Sequence, residues 1–492
     1  MMLEALQAVM SVDVILAVTI GSISGILIGG MPGLTATMAV ALLIPITFSF
    51  SPLIGLALMG GVYCGAMYGG SISAILLSTP GTPAAAATAL EGYPLTKQGK
   101  GGLALKVSVI ASFIGGTFSV VVLLLVSPLL SEFALKFGPP EYFLLALMGL
   151  TGVISVSSGG LTKGIISGLI GLIIALIGTD AMSGTLRYTF HIVDLYEGVS
   201  FMPALIGMFS IAQMLSLVGE KRIANEDIDL STIKRDKMPK GMAPFITLGT
   251  AVGTIVGIIP GEGATIAAFV SYNMAKQKSK FKNLFGKGNP EGIAAAESGN
   301  NACVGGSLVP LLTLGIPGNT VSAALMGGLM IQGLIPGPEL FTKYGQITYG
   351  FILSLFIANI VFLIVGLFFA PYFAKISLIP ASVLISAISI FAIIGSYAIN
   401  NNMFDVWLML LFAFGGFFLN KLGFSLSAII LGMILGPIAE SGFAQALTIS
   451  GGTYGIFFAS IPAKILWVII IVLLLQPMWG YYRSKKIRNI AS

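Results

Sequence analysis

One arrangement of residues occurs twice in this chain of 492 residues. Gly25, Gly29, Pro32, Gly33, Ala36 and Thr37 recur at a constant offset as Gly253, Gly257, Pro260, Gly261, Ala264 and Thr265. Further along each half comes a second block, Gly69-Gly70-Ser71 running to Thr79-Pro80-Gly81-Thr82 and Gly305-Gly306-Ser307 running to Ile316-Pro317-Gly318-Asn319. Proline lacks a backbone donor and clashes with the preceding turn, and glycine tolerates conformations closed to other residues, so Pro-Gly inside an apolar run ends a helix. Any fold of this chain must accommodate four such breaks, arranged as two copies of one cassette.

The surroundings of the breaks are apolar. Hydrophobic residues make up 56% of the chain and charged residues 9%, which excludes an ordinary soluble protein. Stretches near 103–130, 345–370 and 464–478 suit a membrane span of about 20 residues. The N-terminal segment carries Glu4 and Asp13 and no basic cluster, so 12–30 reads as a retained membrane segment. The net charge of +6 lies in short loops, so the positive-inside rule explains it and nucleic acid is no partner. Cys64 and Cys303 have no CxxC or Cys/His spacing and read as small packing residues.

Loop charges give an orientation. Lys97 is the first basic residue and Lys100 follows it, which puts that loop in the cytoplasm and the N-terminus outside. The stretch 220–240 holds Lys221, Arg222, Lys234, Arg235, Lys237 and Lys240 and divides the chain. Lys276, Lys278, Lys280, Lys282 and Lys287 form another cytoplasmic loop, and the basic tail places the C-terminus in the cytoplasm. The external turn 179–200 contains the only histidine, His191, and reads as a solvated loop. The loop after the first hairpin is uncharged and external, whereas its counterpart is the lysine loop, so the copies are expected upside down relative to each other. The fold predicted is an all-α polytopic membrane protein of two inverted repeats with roughly 11–12 crossings, each repeat having a re-entrant Pro-Gly hairpin and a broken transmembrane helix. Residues 1–219 form the N-terminal membrane repeat, 220–242 a cytoplasmic charged linker and 243–492 the C-terminal membrane repeat.

Helix breaks inside a bilayer leave backbone groups that cost several kcal/mol each unless protein or a wet cavity receives them. A half-helix N-terminus suits a carboxylate, and C-terminal carbonyls suit a sodium ion. The substrate-binding candidates are Pro32, Gly33, Thr35, Thr37, Ser78, Thr79, Pro80, Gly81 and Thr82 in the first half. In the second half they are Pro260, Gly261, Asn300, Asn301, Pro317, Gly318, Asn319 and Thr320. Small residues also serve close helix packing, and for any one hydroxyl the two readings stay open. Glu262, Thr265 and Glu297 are the candidates for cation coupling, with a cytoplasmic, solvated position the alternative for Glu297. Glu91 and Lys464 read as interfacial residues that snorkel. No dedicated metal ligands are legible; sodium at the Pro-Gly breaks stays open.

The order GxxxGxxPGLTAT, YGGSISAILLSTPGTPAAAATALEGYP, GxIPGEGATIAAFVSY, FGKGNPEGIAAAESGNNA and LVPLLTLGIPGN with GLIPGP resembles the large membrane subunit of tripartite tricarboxylate transporters, the TctA type. One departure is Asn273-Met274-Ala275-Lys276, where the family often has a glutamate soon after the tyrosine matching Tyr272. The resemblance implies a bacterial inner-membrane permease working with a small membrane subunit and a periplasmic solute-binding protein. It implies import of a carboxylate such as citrate with a sodium or proton gradient, without ATP and without a cofactor; a GxxxxGK[ST] motif is missing from the sequence. Membrane lipids surround such a chain, and a homodimer stays open. The alternatives are a membrane-embedded enzyme, for which no HExxH, Ser/His or paired-Asp arrangement is legible, and a passive anion channel, which would need no coupling carboxylate.

Overall fold

A computed structural model of the chain describes residues 2–31, 33–155, 160–180, 182–217, 237–261, 263–376 and 381–475. The first half runs α1 (Met2–Val9), α2 (Val12–Gly29), α3 (Ala36–Thr47), α4 (Pro52–Leu77), α5 (Ala85–Lys97), α6 (Gly101–Ala134), α7 (Pro139–Ser155) and α8 (Leu161–Ala175). A ribbon of β1 (Gly178–Thr179) and β2 (Leu186–Arg187) follows, then α9 (Phe201–Ile206), a π-helical turn at Gly207–Ile211 and α10 (Ala212–Leu217). The second half runs α11 (Ala243–Ile258), α12 (Gly263–Lys278), α13 (Pro290–Leu314), α14 (Thr320–Ile331), α15 (Glu339–Thr342), α16 (Gly345–Ile376), α17 (Ala381–Asn400), α18 (Met403–Lys421), α19 (Leu426–Ile449) and α20 (Ile461–Leu475). Among the described residues seven helices, α2, α4, α6, α16, α17, α18 and α19, are long and apolar enough to cross a membrane. Their outward faces carry large apolar side chains, such as Leu125, Phe368, Phe391, Trp407 and Leu411, as a lipid-facing surface requires. The chain is an all-α polytopic membrane protein.

The helices form two compact units, and each takes pieces from both halves of the sequence. The first comprises Met1–Ser131 and Phe209–Asn401 and contains both Pro-Gly cassettes. The second comprises Glu132–Met208 and Asn402–Ser492. Most of the charged linker at 220–242 lies outside the described residues.

Within the first unit the order hairpin, long helix, break and arm recurs: α2–α3–α4–α5 and α11–α12–α13–α14. The repeated glycines explain how these helices meet. Gly21, Gly25 and Gly29 line α2 against Gly61, Gly65 and Gly69 on α4, the small-xxx-small spacing that lets backbones touch in a membrane. A Cβ on Gly25 would stand 2.9 Å from the backbone nitrogen of Ala66, closer than side chains pack. Gly249, Gly253 and Gly257 do the same for α11 against α13. The arms are exchanged: α3 of the first hairpin packs on α14, and α12 of the second packs on α5.

In the second unit α7 and α8 pack on α19, with Gly171 and Gly432 at the crossing. Part of the 179–200 stretch folds as the β ribbon, where Arg187 forms a forked pair with Glu440 and a further contact to Asp180 at 3.0 Å. His191 is exposed there, and Asp194 accepts from Asn402 at 2.6 Å.

Candidate functional site

The two long broken helices end in the same way. Ser78 caps α4 in the left-handed region at φ 58°, and Gly315 caps α13 at φ 69°. The following N–H reaches back to close the last turn, Thr79 to Ser73 O at 3.4 Å and Ile316 to Pro310 O at 3.2 Å. Pro80 and Pro317 come next and cannot continue the helix. The chain then threads between glycines. Gly81 donates its N–H to Gly70 O at 3.2 Å, and its missing Cβ leaves room for Gly29; Gly318 accepts from the Gly261 N–H at 2.8 Å and lies against Gly257. The glycines that make up the cassette in sequence therefore meet in space, Gly29 with Gly70 and Gly81, and Gly257 with Gly306 and Gly318.

The exchanged arms bring two helix N-termini together. Thr35 caps α3 and accepts from the Met38 N–H at 3.2 Å, while its own hydroxyl donates to Gln213 at 3.3 Å. Asn319 caps α14 in a reciprocal box with Ser322, both bonds at 2.8 Å. Between the two ends, the hydroxyls of Thr37 and Thr320 stand 2.8 Å apart. Beneath them, Asn319 Nδ2 donates to the Tyr63 hydroxyl at 2.8 Å, and Tyr63 meets Ser307 at 3.0 Å. Each cap side chain takes one N–H of its first turn, and the remaining donors of that turn project from the helix end.

A second polar cluster surrounds Glu297, which is fully buried. Its Oε1 accepts from Ser71 at 2.5 Å and from Thr88, and its Oε2 accepts from Ser112 at 2.9 Å. Asn301 donates to Ser112 at 2.8 Å and to the Glu297 backbone carbonyl at 3.1 Å; Asn300 donates to Met67 O at 3.2 Å. The amide oxygens of Asn300 and Asn301 and the hydroxyls of Thr79 and Thr82 are buried and have no hydrogen-bond partner among the described residues. Glu297 is thus not a solvated residue of the cytoplasmic loop, because α13 is buried along almost its whole length and holds this side chain among α4, α5 and α6.

The other candidates divide. Pro260, Gly261, Pro317 and Gly318 are buried at the second hairpin and break, and Gly33 is exposed at the first hairpin with φ 85°. Ser78 and Pro80 shape the first break, and Thr265 is half-buried in the first turn of α12. Pro32 and Glu262 lie outside the described residues. Glu91 does not snorkel: it is fully buried and accepts from the Tyr272 hydroxyl at 2.7 Å and from the backbone N–H groups of Gly286, Gly288 and Asn289 at 2.5, 2.9 and 2.8 Å. It ties α5 to the loop before α13. Sequence reasoning passed over Tyr63, Thr88, Ser112 and Gln213 as site residues; the one available signal was a polar side chain inside an apolar or alanine-rich run.

Broken helices whose ends meet over buried hydroxyls and one enclosed carboxylate, inside a polytopic helical membrane protein, define the class of helical membrane transporters. Comparison with known proteins specifies the family. The chain belongs to the tripartite tricarboxylate transporter TctA family, whose sequence model matches residues 15–431. It is 37% identical over 475 residues to an "Uncharacterized 52.8 kDa protein in TAR-I ttuC' 3'region" of Agrobacterium vitis, covering 95% of this chain and 93% of that protein. It is also 37% identical over 234 residues to an "Uncharacterized protein in TAR-II ttuC' 3'region" of the same organism, covering 48% of this chain and 97% of that protein. No solved structure matches the chain.

Proposed function

We propose that this chain is the transport subunit of a binding-protein-dependent tripartite system and imports a carboxylate, a tricarboxylate such as citrate or a related di- or monocarboxylate, with a cation gradient. The observation that carries this reading is the 2.8 Å contact between Thr37 and Thr320. It joins the N-terminal ends of α3 and α14, each worth about half a positive charge, so a carboxylate bound there meets two helix ends and two hydroxyls without a buried lysine or arginine. Glu297, enclosed and hydroxyl-lined, is the group for the coupling ion; Glu262 and Thr265 belong to the same proposal at the second hairpin tip. The family itself is one of transporters, which favours transport over membrane-embedded catalysis, and a buried carboxylate favours coupled transport over a passive channel.

The same reading places the chain in a bacterial inner membrane, with the N-terminus periplasmic, the C-terminus cytoplasmic and the two cassettes inverted. The recurring helix order and the positive loops support it. A small membrane subunit and a periplasmic binding protein are the partners, with the external stretches 179–200 and 336–345 as docking regions. The test is uptake of a labelled carboxylate into membrane vesicles. Uptake should require the binding protein and a sodium or proton gradient and should proceed without ATP; uptake that is independent of any gradient refutes the reading.

A further inference from the structure

The two Gly-Gly-Ser serines reach across the first unit in opposite directions. Ser71 of α4 donates to Glu297 of α13 at 2.5 Å, whereas Ser307 of α13 meets Tyr63 of α4 at 3.0 Å. Each contact is joined by the segment beyond the break of the serine's own helix: Thr88 of α5 reaches Glu297, and Asn319 at the head of α14 reaches Tyr63 at 2.8 Å. The two places are thus built to one plan, yet their chemistry differs. One ends in a carboxylate, the other in a phenol and an amide that offer neutral donors.

We propose that the duplicated cassette has diverged into two separate sites: Glu297, Ser71, Thr88 and Ser112 hold a sodium ion, while the organic anion occupies only the Thr37–Thr320 end with Tyr63 and Asn319 behind it. This rests on the reading of the chain as a coupled carboxylate importer and assigns the ion to its own ligands rather than to the Pro-Gly carbonyls.

Comparison of the two fully buried glutamates of this unit, Glu91 and Glu297, decides between a structural and an ion-binding role. Glu91 is held by three backbone N–H groups and one phenol. A backbone N–H has no lone pair to offer, so that carboxylate is locked into a neutralising nest. Glu297 is held by three side-chain hydroxyls, on α4, α5 and α6. Each of those oxygens has lone pairs as well as a proton, and a hydroxyl on a helix has an alternative acceptor in the carbonyl one turn back. Ser298 and Thr254 already donate that way, at 2.8 and 2.9 Å. Rotation of three O–H bonds converts the donors around Glu297 into oxygen ligands for a hard cation. The charge supplies the motive: Glu297 is fully buried and forms no ion pair among the described residues, and a buried carboxylate needs a compensating charge. Asn301, bound to Ser112 at 2.8 Å and with its buried amide oxygen unpartnered among the described residues, stands beside the cluster as a further oxygen source.

The experiment is equilibrium binding of radiolabelled sodium to the full chain in lipid nanodiscs, in the absence of any organic anion. The wild-type chain should bind sodium in preference to potassium. Glu297→Gln should abolish binding, and Thr88→Val and Ser112→Ala should each weaken it at least tenfold, whereas Tyr63→Phe and Asn319→Ala should leave it within twofold. Should Glu297→Gln fail to insert, the two hydroxyl variants decide the matter alone. Sodium binding that survives Thr88→Val and Ser112→Ala, or that falls equally in Tyr63→Phe, overturns the separation of sites. A wild-type chain that binds no sodium and responds only to pH overturns the choice of ion. Neither result touches the carboxylate reading, which is judged by uptake and by anion binding.

Discussion

Replacement of Thr37 and Thr320 by valine, singly and together, tests the meeting of α3 and α14. Each threonine hydroxyl has one proton, and at 2.8 Å one hydroxyl donates to the other. When a carboxylate arrives, both protons turn toward it. Binding then breaks one neutral hydrogen bond, worth about 1 kcal/mol, and makes two charge-assisted ones, each worth about 1.5–3 kcal/mol. A single valine forfeits one charged bond but has no neutral bond left to break. With about 2.2 kcal/mol for the charged bond the net loss is about 1.2 kcal/mol, roughly an eightfold fall in affinity. The double variant forfeits both charged bonds and is spared the neutral one only once, so it loses about 3.4 kcal/mol, roughly 300-fold. The double effect therefore exceeds the sum of the singles by about 1 kcal/mol, the energy of the Thr37–Thr320 bond itself. Valine keeps the shape of threonine, so folding is preserved as a control on the comparison. The assay is equilibrium binding of a panel of mono-, di- and tricarboxylates to the full chain in nanodiscs. Strict additivity, or single variants with unchanged affinity for every member, would refute the claim that these hydroxyls release each other to hold the anion.

Three further outcomes follow from the packing and the loops. Gly29→Ala should cost at least about 1–3 kcal/mol, because a Cβ there stands 2.6 Å from Ala66 Cα, whereas Gly415→Ala in α18, with nothing within 4 Å, should be neutral or slightly stabilising; thermal unfolding followed by size-exclusion chromatography compares them. Glu91→Ala strands the N–H groups of Gly286, Gly288 and Asn289, each at about 1–3 kcal/mol, so their amide exchange should accelerate far more than in Glu91→Gln, which keeps an acceptor oxygen. In the β ribbon, the N–H groups of Ser183 and Met182 and the neighbouring Arg187 hold Asp180 below the usual aspartate range. Its folded value is lower than its unfolded one, so its contribution is present above about pH 4 and fades as pH falls through the folded value. Protection of the ribbon amides, relative to their intrinsic exchange rate at each pH, should fall on acidification below that pH, and Asp180→Asn should show a weaker dependence, with the Arg187–Glu440 pair left in place.

The helix breaks were legible in the sequence because they are local. Pro80 and Pro317, each followed by a glycine, and Gly33 and Gly261 mark where a helix stops, and the helices stop there, whereas lone prolines such as Pro310 and Pro437 stay inside α13 and α19. The exchange of arms was not legible, since nothing near Thr37 says that its partner is Thr320 rather than a residue of its own half. Glu91 shows the same limit from another side. Three of its four partners are backbone N–H groups of Gly286, Gly288 and Asn289, and a backbone donor leaves no mark in composition. Thr88 and Ser112 were passed over because a single hydroxyl on an apolar helix looks the same whether it serves packing or a carboxylate. The compact units interleave the halves of the sequence for a related reason: the chain passes from one unit to the other within α6, within the π-helical turn at Gly207–Ile211 and between α17 and α18, and no charged linker marks any of these passages.

The exchange of arms also bears on why the cassette is kept in two copies. α3 belongs to the first hairpin yet forms the floor of the Thr37–Thr320 end together with α14 of the second half. α5 follows the first break yet carries Thr88 to the carboxylate of the second half. Each site is therefore assembled from both copies, and the long helices α4 and α13 each contribute to both: α4 through Tyr63 and Ser71, α13 through Ser307 and Glu297. Tyr63 and Ser71 are eight positions apart on one rigid helix, which is about 12 Å along its axis at 1.5 Å per residue. A shift of α4 that tightens its hold on Glu297 is thus felt at Tyr63 without any intermediary other than the helix itself. Two ligands that each bias the position of the same pair of helices are linked thermodynamically, and the linkage is reciprocal. A duplicated, cross-braced cassette needs no further device to make occupancy of one site alter the affinity of the other.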